Sequence, residues 1–181
     1  MSIHYPPKYR YPLFEPWDRE AFELIKQIAT HRKYPRILGR KEDKNQFLTT
    51  LIRTQKAPHG WRNLLMSTLE QVRRTESIDT AELNTKYPPE SINQARPAWV
   101  LYKEDRIVSD FIDDLGVKQV EFIGTDEGIS EFIIRFILGQ LGNDWKQTIM
   151  MVWELIGDGN VLEVRTLNEE MKNFDYLKLF E

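Results

Sequence analysis

The sequence predicts a mixed α+β or α/β protein: an N-terminal helical lobe of about three helices, followed by a small sheet covered by helices. Three observations lead there. Apolar residues in the first half recur at helical spacing. The second half alternates short β-branched runs with helical patterns, the β-α-β order that makes a helix-covered sheet. The 181 residues are 41% hydrophobic and 29% charged, with five Trp, nine Phe and seven Tyr, enough to bury a sizeable core.

Taken in order, the chain opens on an extended Pro/Tyr-rich arm, residues 1–15, because its prolines fix φ and push their neighbours extended. A basic helical lobe follows, residues 16–85. Pro16 suits a first helical position, and Phe22, Ile25 and Ile28 carry the first stripe until Pro35 breaks it. Phe47, Leu48, Leu51 and Ile52 place a second helix at 41–55. "KAPHG" interrupts, and Trp61, Leu65, Leu69 and Val72 place a third at 60–74, with a short helical turn after Asp79. "KYPPES" reads as a linker into an acidic α/β lobe, residues 95–181, packed with the first as one unit.

There, "AWVLY" (98–102), "VKQVEFI" (117–123), "VLEVRT" (161–166) and "DYLKLF" (175–180) read as strands. Ile107 to Leu115 reads as a helix. Thr125 or Asp126 caps another at 127–141 that is apolar nearly all round, hence central. A last helix covers 145–156, with Asp144 and Gln147 as its capping box. No internal repeat is visible.

Net charge is −3, but its distribution is uneven. Residues 1–74 hold 15 Lys and Arg against 7 Asp and Glu; residues 75–181 hold 10 against 21. Such a split marks a surface for a polyanion, or two halves that attract each other. Arg32, Lys33, Arg36, Arg40, Lys41, Lys44, Arg53, Lys56 and Arg62 are the candidate phosphate contacts, with Arg73 and Arg74 ending the run. Tyr34 and Trp61 are candidate stacking platforms for unpaired bases. The five-residue turn holding a Pro does not suit a helix-turn-helix, so RNA or single-strand backbone is the expected ligand.

Arg53 and His59 are the weak catalytic candidates. "RTQKAPH" is similar in spacing to the Arg–His pair of HEPN-type ribonucleases. That resemblance implies an acid–base His and an Arg that steadies the phosphate, in a metal-independent ribonuclease. Pro58 beside His59 works against it.

With no Cys, thiolate chemistry is excluded, and the three scattered His lack metal spacing, so no histidine metal site is expected. The carboxylates Asp110, Asp113, Asp114, Glu127 and Glu131 flank apolar positions, as a solvated helix face does. "GTDEG" (124–128) lacks a phosphate-loop pattern. No metal or cofactor is expected. The first residues contain no apolar leader and no apolar run approaches membrane length, so the expected setting is cytoplasmic with no membrane contact. The sequence therefore points to a non-enzymatic nucleic-acid-binding accessory subunit with a protein partner. The alternative is a protein–protein adaptor with complementary charged halves.

Overall fold

The computed structural model describes residues 16–54, 58–88, 103–117, 120–141, 145–156 and 159–171. The Pro/Tyr-rich arm and the strands expected at 98–102 and 175–180 lie outside the described residues. The fold class is as the sequence predicts: helices dominate, with two small parallel strand pairs.

The helices are α1 (Pro16–His31), α2 (Lys41–Arg53), α3 (Pro58–Thr75), α4 (Thr80–Lys86), α5 (Lys103–Val117), α6 (Asp126–Leu141), α7 (Trp145–Leu155) and α8 (Val164–Met171). The strands are β1 (Arg36–Leu38), β2 (Ser77–Asp79), β3 (Glu121–Ile123) and β4 (Val161–Glu163). β1 pairs with β2 and β3 with β4, both in parallel. A parallel pair needs a long crossover, here two helices each time: α2 and α3, then α6 and α7.

The order β-α-α-β-α thus occurs twice, which corrects the expectation of no repeat. Residues 36–54 match 121–139 at a spacing of 85, and residues 61–72 and 75–87 match 145–156 and 159–171 at a spacing of 84. The match is physical, position by position. The Arg36 N–H donates to Glu76 O at 3.0 Å, and the Glu121 N–H to Asn160 O at 2.8 Å. Glu76 and Asn160 both take left-handed φ, 56° and 58°. Asn84 Nδ2 donates to Asp43 O at 2.8 Å, and Asn168 Nδ2 to Gly128 O at 3.0 Å, tying the last helix of each unit to the first turn of its second. These equalities place one backbone plan under two unlike sequences.

The basic lobe is therefore not helices alone. Its two strands are three residues long, too short for a period-2 pattern to register. "VLEVRT" likewise differs from expectation: only Val161–Glu163 is strand, and α8 begins at Val164. Pro58 opens α3 and does not interrupt it, since the N–H of a first helical residue has no acceptor inside the helix and its loss breaks no helical bond. The caps follow local chemistry. The Asp43 carboxylate accepts from the Arg40 N–H at 3.0 Å, Asp79 from the Glu82 N–H at 3.2 Å, and Thr125 Oγ1 from the Gly128 N–H at 3.0 Å.

The units meet reciprocally. α1 packs on α6, and α5 packs on α2. Asn45 Oδ1 accepts from the Phe122 N–H at 3.0 Å, while Ser130, at the position matching Asn45, donates to Pro35 O at 2.6 Å. Reciprocity of this kind is what a self-matching interface produces. Phe47, Leu48, Leu51 and Ile52 of α2 and their matches Phe132, Ile133, Phe136 and Ile137 of α6 are all buried in one core. α6 is central, as its all-round apolar surface predicts.

Candidate nucleic-acid interface

The candidate cations divide into four groups. Arg32, Lys33, Arg36 and Arg40 are exposed. Arg32 ends α1 in a left-handed conformation, φ 53°, and the Lys33 N–H donates to Ile28 O at 3.2 Å. Because Arg36 bonds to Glu76, the end of α1, the start of β1 and the end of α3 come to one edge. Exposed Arg73 and Arg74 sit in the last turn of α3 and join that edge. The sequence placed these two at the end of the basic run. Their meeting with Arg36 depends on the β1–β2 pairing, which it did not reveal.

Lys41 and Lys44 form the second group, and both turn toward the acidic unit. Lys41 pairs with Glu121. The hydrogen bond from the ammonium to that carboxylate holds the Lys41 pKa above its usual value. Lys44 Nζ donates to Asp126 Oδ1 at 2.7 Å. These pairs border a cavity of about 360 Å³ between the N-terminal ends of α2 and α6, floored by Phe122 and Ile129. Its cations are already matched by carboxylates of this chain.

Arg53 stands alone in the third group. It is 8% exposed, on the last turn of α2. Burial pulls its guanidinium below the usual Arg pKa, and the nearby Asp113 carboxylate partly offsets this. It is placed as an internal charge. Asp113→Asn is therefore expected to cost about 1–3 kcal/mol, because it removes the compensation from a buried cation. Arg53→Met, which fills the space with apolar atoms, should cost less than about 1.5 kcal/mol. Urea melts of the two variants check the order; equal costs would refute the coupling.

The fourth group lies beyond description. Lys56 falls outside the described residues, and His59, Trp61 and Arg62 are described as the helical backbone of the first turn of α3, without their side chains. Tyr34 is half-buried and packs against the core. Of the carboxylates, Glu131 Oε1 accepts from Arg135 Nη2 at 3.0 Å. Among the described residues no three His, Asp or Glu side chains converge on a metal position. No described helix is long and apolar enough to cross a membrane.

Matched positions show what the edge owes to the fold. Arg36 corresponds to Glu121. Residues 36–87 hold 10 Lys and Arg against 6 Asp and Glu, whereas residues 121–171 hold 3 against 10. One backbone plan thus carries opposite charge in its two copies. Compared with protein-family models, curated proteins and solved structures, the chain matches none of them.

Proposed function

We propose that this chain is a non-enzymatic accessory protein that binds the backbone of RNA or another single strand, within a nucleoprotein assembly. The observation that supports this is the edge of five exposed cations: Arg32, Lys33, Arg36, Arg73 and Arg74. Some of that charge serves the C-terminal dipoles of α1 and α3, but each helix end gains only about 0.3–1 kcal/mol from such a cation. Glu121 stands at the position of Arg36 in the second unit, so the backbone plan does not require a cation there. Cations gathered on one edge release counterions when they meet phosphates, which makes binding steeply salt-dependent.

Titration of labelled single-stranded RNA at several salt concentrations is the test. Binding at low salt is expected. In Lys33→Ala/Arg36→Ala/Arg74→Ala, the slope of log affinity against log salt should shrink by about 2. No binding at low salt, or an unchanged slope, would sink the reading. Cleavage of the RNA, lost in His59→Ala, would instead favour the ribonuclease, for which buried Arg53 offers little support.

The adaptor reading has its own observation. Lys41–Glu121 and Lys44–Asp126 use opposite charge to join the two units. Under it the charge split serves assembly, and the RNA titration stays flat.

A further inference from the structure

We propose that the acidic unit carries a docking surface for a basic amphipathic segment of a protein partner, where α5 and α7 meet. The proposal uses none of the cations invoked for RNA. Trp153 is 50% exposed and Ile107 45% exposed. Phe111 joins them: it lies one turn beyond Ile107 on α5 and meets the Trp153 ring edge-on, centroids 6.4 Å apart. Leu69, the match of Trp153 in the basic unit, is 2% exposed. The backbone plan therefore accommodates a covered residue at this place, and the exposed indole is peculiar to the acidic unit.

The charges around the patch name its occupant. Asp110, Asp114 and Glu154 are exposed, and no ion pair among the described residues uses them. Asp114 lies in the last turn of α5 and Glu154 in the last turn of α7, and neither turn holds a cation. Carboxylates at helix C-terminal ends oppose the dipole. The matching helices obey the rule, with His31 ending α1 and Arg73 and Arg74 ending α3. Asp110 lies one turn from Ile107, Asp114 one turn from Phe111, and Glu154 follows Trp153, so exposed carboxylates border the apolar patch. Arg106, which precedes Ile107, is the exposed cation on this part of α5, and Asp110, Asp114 and Glu154 outnumber it. A helix or strand that presents apolar residues on one face and Lys or Arg beside them meets both needs. Its apolar face covers Trp153 and Ile107, and its cations complete the helix ends.

The test uses the full-length chain and a fluorescein-labelled synthetic peptide of Leu and Lys in an amphipathic helical pattern, read by anisotropy. A scrambled peptide of the same composition is the control. The patterned peptide should bind at least about tenfold more tightly than the scrambled one. Trp153→Ala and Asp114→Asn/Glu154→Gln should each weaken it by about tenfold or more. The carboxylate variant should melt no lower than the parent, because it removes charges that oppose the dipoles; this separates lost docking from lost folding. No peptide binding, equal affinity for the scrambled peptide, or unchanged affinity in either variant overturns the proposal. So does sedimentation showing that a second copy occupies the patch, with self-association lost in Trp153→Ala.

Discussion

Phe132→Ala lowers the free energy of unfolding by about 3–5 kcal/mol, the cost of an aromatic ring removed from a packed core. Phe132 is fully buried at the middle of α6. Its ring stacks on Phe122 of β3 at 6.4 Å and tilts against Phe136 at 5.8 Å. Each such pair adds about 0.5–1.5 kcal/mol beyond burial, so the loss should fall in the upper part of the range. Phe47→Ala removes the matching ring from α2, which is 1% exposed, and should cost about 3–5 kcal/mol as well. The transition should stay single in both variants. α1 and α5 each pack across onto the other unit, so neither unit can lose its core while the other keeps its own. Urea unfolding followed by far-ultraviolet circular dichroism and by tryptophan fluorescence tests both claims. A loss below about 2 kcal/mol, or two separated transitions by the two probes, would refute the shared core.

The helices of that core could be read directly, because burial imposes a period that long apolar stripes display. The repeat could not. Identities between the two copies are scattered, among them Gly39 and Gly124, Phe47 and Phe132, Trp61 and Trp145, Glu70 and Glu154, and Asn84 and Asn168. What the copies share is mostly backbone bonds, such as Arg36 to Glu76 and Glu121 to Asn160, and almost any side chain can sit on such a bond. Charge hid the rest. Arg36 and Glu121, Lys41 and Asp126, and Lys86 and Glu170 are matched positions of opposite sign, so an eye trained on charge sees two unlike halves. At the unit interface the inversion has a physical use. In a self-matching contact, Lys41 faces the residue at the position of Arg36 in the other copy. Two copies alike in charge would set cation against cation there, whereas Glu121 makes the pair attractive.

The basic run was legible as composition and not as a surface. Composition cannot tell Arg36, exposed at the start of β1, from Arg53, buried in the last turn of α2. The difference lies in how α2 ends: Thr50, Leu51, Ile52 and Arg53 are all buried, so its last turn is covered on every side and Arg53 with it. In the acidic unit the signal was present but faint. Carboxylates in the last turns of both α5 and α7 run against the helix dipole, a conflict that becomes visible once the helix ends are known.

Gly39→Ala is expected to cost about 2–4 kcal/mol, from backbone strain and a displaced buried hydroxyl together. Gly39 leaves β1 with φ at 126°, a region that L side chains rarely adopt. A Cβ there would collide with Thr80 Oγ1. That hydroxyl donates to Leu38 O at 2.7 Å, and Thr80 is fully buried, so it has no open side to retreat to. The matching glycine is a built-in control. Gly124 does not take a positive φ, and its added Cβ would meet the Val164 Cβ at 3.1 Å, a crowding that a small shift of α8 absorbs. Gly124→Ala should cost about 1 kcal/mol. A double-mutant cycle divides the Gly39 cost into its two parts. Thr80→Ala removes the clash and the hydrogen bond but leaves φ untouched, so in that background Gly39→Ala should still cost about 1–3 kcal/mol. If Gly39→Ala became neutral there, the hydroxyl would account for the whole effect. If Gly39→Ala and Gly124→Ala cost the same in the parent, the conformational argument for Gly39 would fail.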